Sequence, residues 1–362
     1  MSKFITLFFL LFLLTGCGSK TYKVGFIGSL SGSGAPLGAN GRNGALLYFD
    51  ELNKSGGING RRVELIEADV QSMPDKTGEC IEDVYNKGAA IVIGHLTSGE
   101  GLEAQIKANQ LKIPMISATI SGDNFSGLDD YLFRITSSND YQGKYLGAYA
   151  KKIGYKTVNI IYDIDNKSFA EVIMNSFLNE LGNDKRVLNS IILNNDQKKD
   201  LNEVADILYK DNADVILAIN DSVTNAKLCQ VLRKKKVTSR VMMSAWSIMG
   251  ALIENGGESV EDTVHVSLFL LHDNEPSYQK FKNKYFEVYN EYPNFSGLFG
   301  YESAQYAAEV LKRVKNNDVL TALKSIKTFQ GVQQQIGIDE FGDGVRELYL
   351  YTIKNGQFKR IE

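Results

Sequence analysis

From residue 22 to about residue 270 the chain alternates short apolar runs with longer segments in which apolar residues return every three or four positions. The runs are continuous, as in AIVIG (90–94) and VILAI (215–219), which is the pattern of strands buried on both faces. The periodic segments are long enough for helices. Strands are predicted at 22–27, 63–68, 89–93, 114–117, 131–135, 157–162, 187–193, 213–219, 240–244 and 264–270. Helices are predicted between them, among them one carrying Ala45, Leu47, Phe49 and Leu52, one opened by Ser72 and Pro74, and others at 140–153, 168–181, 199–210 and 222–235. Strands separated by helices imply right-handed crossovers and parallel sheets, so the fold class is α/β. The alternation restarts near residue 140, dividing the strands into two similar halves. The tail changes character, with helices predicted at 275–291, 297–315 and 317–327, then strands at 347–353 and 358–361 flanking Asn355-Gly356. A tail of this kind suggests a chain that passes between two lobes more than once.

The first residues do not fit the alternation. Lys3 is followed by an apolar run of 11 residues, Phe4–Leu14, and then by Leu-Thr-Gly-Cys ending at Cys17. A membrane-spanning helix needs about 20 apolar residues, so this run has the proportions of a signal-peptide core. The ending resembles a bacterial lipoprotein signal, in which the cysteine is lipidated and becomes the mature N-terminus. Residues 1–16 are therefore read as the signal, Cys17 as the lipidation site, and the rest as an extracytoplasmic, membrane-anchored body.

Charge and cysteine usage narrow the function classes. The formal net charge is −3, and loss of Lys3 with the signal moves it to −4. The one basic run, Arg233–Lys236, closes a helical pattern, where cations suit the helix C-terminus. No basic face suggests nucleic acid. Cys80 and Cys229 stand far apart with no metal-ligand or redox spacing, and are expected as buried free thiols.

Ligands of open α/β sheets bind beyond the carboxyl ends of the strands. The loops there are Gly28–Gly34, His95–Gly99, Ala118–Gly122, Asp163–Ser168, Asn220–Asn225 and Ala245–Ser247, and they are rich in hydroxyls, glycines and amides. Such groups hydrogen-bond a small polar ligand, and helix-start amides hold an anionic end. Catalytic patterns are missing: there is no H-E-x-x-H, no G-x-S-x-G and no P-loop. Gly32–Gly38 imitates a dinucleotide fingerprint, but its third glycine is one residue late and Pro36 occupies the turn. His265 reads as a core histidine, and His95 as a residue standing behind its loop. No catalytic residue, metal site or cofactor is expected.

Several ordered segments carry a wider resemblance: VGFIGSLSGSGAPLGANGRNGALLYFDELNKSGGINGRRVELIEAD, IVIGHLTSGEG, IPMISATISGDN, LFRITSSNDYQGKYLGAYA and GIDEFGDG. They resemble the periplasmic leucine/isoleucine/valine-binding proteins, the type I substrate-binding components of amino-acid ABC importers, over essentially the whole chain beyond the signal. The resemblance implies two Rossmann-like lobes with parallel sheets, joined by a three-strand hinge and closing on ligand. The expected division is 22–137 plus 273–334 for the N-terminal lobe and 138–272 plus 335–362 for the C-terminal lobe.

By the same resemblance, Ser98 and the segment Ser117–Ser121 hold a ligand carboxylate, through Ser121 and through the carbonyl and hydroxyl of Thr119. The pattern departs elsewhere. The first-loop aromatic falls on Leu37, the second-lobe aromatics on Lys167 and Thr224, and the glutamate that pairs an ammonium falls near Ala245–Trp246, where no acid stands. Asp221 is one alternative partner for an ammonium; a ligand without an ammonium is the other. Trp246, the only tryptophan, either caps the ligand or packs in the core. A cleft-facing Lys167 would favour a more polar or second-carboxylate-bearing solute over leucine, isoleucine and valine. The alternative points Lys167 to solvent.

The expected function is capture of an amino acid or related small carboxylate by a monomer that hands it to an ABC permease. A sensor presenting ligand to a membrane receptor is the rival. An exported enzyme on the same scaffold would need a nucleophile or metal cluster that these loops lack.

Overall fold

The computed structural model describes residues 21–361, apart from 33, 165–166, 194–199, 249 and 273. Signal and Cys17 lie outside the described residues. Beyond them come β1 (Tyr22–Gly28), α1 (Ala35–Lys54), β2 (Val63–Asp69), α2 (Thr77–Asn86), β3 (Ile91–Ile93), α3 (Ser98–Leu111), β4 (Met115–Ser117) and β5 (Leu132–Arg134). The strands form a parallel sheet in the order β2-β1-β3-β4-β5, with Val24 opposite Leu65 and Ile116 opposite Phe133. Pro74 opens a short 3-10 turn, and α2 starts only at Thr77.

The second half repeats the theme with α4 (Asp140–Ile153), β6 (Thr157–Asp163), α5 (Lys167–Leu181), β7 (Arg186–Leu193), α6 (Leu201–Asp211), β8 (Val215–Ile219), α7 (Ser222–Lys234), β9 (Arg240–Met243), α8 (Gly250–Gly256) and β10 (Val264–Ser267). The tail supplies α9 (Pro276–Tyr289), α10 (Phe295–Arg313), α11 (Val319–Lys324), β11 (Thr328–Gln330), β12 (Gln335–Ile338), β13 (Gly344–Val345), β14 (Tyr349–Lys354) and β15 (Gln357–Ile361). The second sheet runs β15-β14-β10-β9-β8-β6-β7. Its β10-β9-β8-β6-β7 part is parallel, and the β14–β15 hairpin, turning at Asn355-Gly356, adds an antiparallel edge. Two α/β lobes on mainly parallel sheets are thus present.

Each lobe has its own apolar centre. Phe26, Ile93, Ile116 and Phe133 of the first sheet pack with Leu47 of α1, Phe281 of α9 and Phe299 and Tyr306 of α10. In the second, Ile216, Ala218 and Met243 face Leu228 and Leu232 of α7 and Val204 of α6. Cys80 and Cys229 sit in different clusters as free thiols, Cys229 buried and Cys80 half-buried; burial pushes both thiols up, Cys229 to about 12. Among the described residues no helix is long and apolar enough to cross a membrane.

The tail's return to the first lobe runs further than 334. Ile336 and Ile338 of β12 pack in the first lobe's core, and Gly344 lies against the backbone of Arg134 and Ile135. The expected boundary at 334/335 therefore moves to about residue 346, because β11, β12 and β13 form a small antiparallel sheet on that core.

Among the described residues the chain passes between the cores at three places, near 135–139, 267–275 and 345–349. They are laced together: Arg346 N donates to Ser137 Oγ at 2.8 Å, and Glu347 N to Gln334 Oε1 at 2.7 Å. Leu270 N donates to Gln333 Oε1 at 3.0 Å, and Gln333 Nε2 donates back to Leu270 O at 2.8 Å. Arg346 Nη1 meets Glu302 Oε2 at 2.8 Å with neither side chain exposed, and Glu302 Oε1 accepts from Val332 N at 2.9 Å. This buried pair fastens α10 to the last crossing.

Candidate functional site

A cleft of about 490 Å³ opens between the lobes beside these crossings, walled by residues of both. Leu37, Ser98, Thr119, Ser121 and Trp246 of the expected site line it together. The polar end is built by α3. Thr97 is its N-cap residue, and its side chain caps no backbone amide: Oγ1 donates to Glu100 Oε2 at 2.6 Å. Ser98 and Gly99, the first residues of this 14-residue helix, line the cleft, where the helix dipole favours an anion.

Ser98 is set up as a donor. Its Oγ accepts from Ser121 N at 3.4 Å and from Gly122 N at 3.2 Å. A hydroxyl has two acceptor sites and one proton, so the proton remains for a third group. Thr119 is oriented the other way: its hydroxyl donates to Leu96 O, leaving only acceptor capacity toward the cleft. Ser121 is locked by its carbonyl, which accepts from Asn139 N at 2.9 Å. Thr136, also in the lining, is buried, and its Oγ1 has no hydrogen-bond partner in the protein.

Behind this end stands a buried cluster. His95 Nδ1 lies 3.0 Å from Glu100 Oε2 and accepts from Leu96 N at 2.9 Å, while Glu100 Oε1 accepts from Ser29 Oγ at 3.2 Å. Burial holds the His95 imidazole below the ordinary histidine range, against the opposing pull of Glu100. His95 thus braces the start of α3. His265 is a core histidine, its Nε2 2.8 Å from Thr263 Oγ1 and its Nδ1 3.3 Å from Ser247 Oγ, and burial depresses it to about 3.

Three expected site residues stand elsewhere. Lys167, on the first turn of α5, is exposed and lies 3.5 Å from Glu171 one turn on. The alternative that points it to solvent is the one the structure shows, because the helix turns Phe169 to the cleft instead. Asp221 is the N-cap of α7, its Oδ1 accepting from Val223 N at 2.8 Å and Thr224 N at 3.0 Å. That capping role engages Oδ1 and ties Thr224 to it; neither residue lines the cleft.

Most of the rest of the wall is apolar. Trp246 meets Phe169 edge-to-face at 5.8 Å, and Phe299 meets both Phe269 at 6.2 Å and Phe295 at 6.1 Å. Phe269, Phe295 and Phe299 come from the tail and a crossing. Their one sequence signal is the i,i+4 spacing of Phe295 and Phe299, which reads equally as core. Gln142, another lining residue, accepts from Ala245 N at 3.0 Å and donates to Asn139 Oδ1 at 3.1 Å. Among the described residues no group of three or more His, Cys, Asp or Glu side chains could hold a metal ion.

Two α/β lobes, a laced three-stranded crossing and a cleft with a helix start at one end define a bilobal solute-binding protein. The periplasmic binding protein family model matches residues 21–357, and the chain belongs to that family, which indicates an extracytoplasmic location. An amino acid binding protein of Pseudomonas aeruginosa is 25% identical over 329 residues, covering 88% of this chain and 85% of that protein. Among solved structures, the branched-chain amino acid transporter substrate binding protein LivJ from Streptococcus pneumoniae, in complex with isoleucine, superposes with a TM-score of 0.83 at 24% identity, covering 94% of this chain and 98% of that one. A solute binding protein of an ABC transporter from R. palustris, in complex with benzoate, gives 0.80 at 18% identity over 94% of this chain and 96% of that one.

Proposed function

We propose that this protein is the lipid-anchored solute-binding component of an ABC importer, trapping an amino acid or related small carboxylate between its lobes for a membrane permease. The observation that carries the reading is the start of α3 at the cleft, where Ser98 keeps a proton to give and the helix opens on the lining at Ser98 and Gly99. The similar proteins fit it: one is described as an amino acid binder, and the solved structures hold isoleucine and benzoate, both small carboxylates. Ser98→Ala is expected to weaken carboxylate binding by roughly 1–3 kcal/mol, the usual range for a hydrogen bond to a charged group, as read by calorimetry. Unchanged affinity would move the anion site away from α3.

The anchor rests on the apolar run and the Leu-Thr-Gly-Cys ending. Cys17→Ser is expected to abolish acylation and leave the precursor uncleaved or release the protein from membranes. Wild-type protein without acyl mass on its N-terminus would contradict it.

A further inference from the structure

The cleft's two ends differ in chemistry. Toward α3 it offers hydrogen-bond donors and the positive end of a helix dipole. The remainder is walled mainly by Leu37, Phe169, Trp246, Phe269, Phe295 and Phe299, with the amide of Gln142 among them. Among the described residues no aspartate, glutamate, lysine or arginine lines it.

The acid carried by this end of α3 is already engaged. Glu100 stands outside the lining, its two oxygens accepting from the hydroxyls of Ser29 and Thr97. Asp221 caps α7 and stands outside the lining. A carboxylate entering the cleft therefore meets donors, whereas an ammonium beside it would find neutral acceptors such as the Thr119 hydroxyl but, among the described lining residues, no counter-charge. The water an ion loses on burial is repaid only when a partner charge meets it. Aromatic and branched walls, by contrast, gain from every apolar carbon removed from water. The partnerless Thr136 hydroxyl adds one more hydrogen bond for a ligand oxygen.

We infer that the preferred ligand is a monocarboxylate with a ring-sized or branched apolar body and no α-ammonium. This rests on the reading of the cleft as a solute trap and narrows it. It also reverses the expectation of a more polar or doubly acidic solute, which depended on Lys167 facing inward.

The test uses matched pairs that differ only in the α-amino group. The purified protein is titrated calorimetrically with 4-methylpentanoate against L-leucine and with 3-phenylpropanoate against L-phenylalanine, with benzoate as the smallest ring acid. In at least one pair the desamino acid is expected to bind tenfold or more tighter than its amino acid. A desamino preference below tenfold in both pairs, or tighter binding of the amino acid in both, overturns the inference while leaving the solute-trap reading standing. Absence of saturable binding by all five compounds overturns the inference and counts against that reading as well.

Discussion

Replacing Glu302 with alanine is expected to lower stability by about 3–5 kcal/mol, the cost of leaving one member of a buried ion pair without its partner. Glu302 and Arg346 are both fully buried, their contact is 2.8 Å, and Arg346 Nε and Nη2 have no other hydrogen-bond partner in the protein. The Arg346 guanidinium carbon also lies 4.1 Å from the centroid of the Phe299 ring, so the cation rests directly behind a cleft-lining aromatic. Removing both charges together, in Glu302→Leu with Arg346→Met, should cost far less, because apolar replacements of buried pairs are often close to neutral. Urea unfolding of the single and double variants checks this. A loss below about 1 kcal/mol in the single variant would show that water reaches the guanidinium and that the pair does not fasten the last crossing.

The second large effect is a dependence on pH. His265 has a folded pKa of about 3, against about 6.5 when solvated. Below the solvated value the unfolded chain takes up a proton that the folded chain refuses, so stability falls as the pH falls. Above it His265 contributes no slope. Between about pH 6.5 and 4.5, before most carboxylates titrate, the expected contribution approaches 1.4 kcal/mol per pH unit. The buried His95, also held below its ordinary range, adds in the same direction. His265→Gln should remove one such contribution, seen as a shallower fall in unfolding free energy across that window. Parallel curves for the variant and the wild type would mean that His265 is reached by solvent and titrates normally.

Much of the scaffold was legible in the pattern of apolar positions. The helix predicted at 140–153 is α4, and runs such as VILAI fall on β8, because a strand buried on both faces has no polar positions to hide its limits. The small sheet of β11, β12 and β13 was not legible. Its strands are two to four residues long and carry Gln330, Gln335 and Gly344, so neither period nor composition separates them from loop. The contact of α1 with α10 was equally silent. A Cβ on Gly44 would sit 2.0 Å from Gly297 O, and one on Gly300 2.0 Å from Gly41 O. In sequence, such glycines look merely like weak points in helices.

The site divides along the same line. Ser98, Thr119, Ser121, Leu37 and Trp246 were singled out by the family resemblance and line the cleft; all but Leu37 also sit on strand-end loops, where open sheets gather ligands. Lys167 was misplaced by two positions of helical phase: at 100° per residue the side that meets the cleft belongs to Phe169. Asp221 illustrates a different confusion, since an acid just before a helix serves as its cap as readily as it serves a ligand. Phe269, Phe295 and Phe299 reach the cleft only through the tail's return to the first lobe, a tertiary event that no local pattern records.

Trp246 is the only tryptophan in the chain and lies in the cleft wall, so intrinsic fluorescence reports on this one place. Titrating the protein with the five carboxylates while following that emission tests directly whether solute is held between the lobes. The expected result is a saturable change in emission that matches the calorimetric isotherm and shifts to higher ligand concentration in Ser98→Ala. Calorimetric binding that saturates while the Trp246 emission stays constant, in wild type and variant alike, would place the ligand outside the cleft and contradict the account.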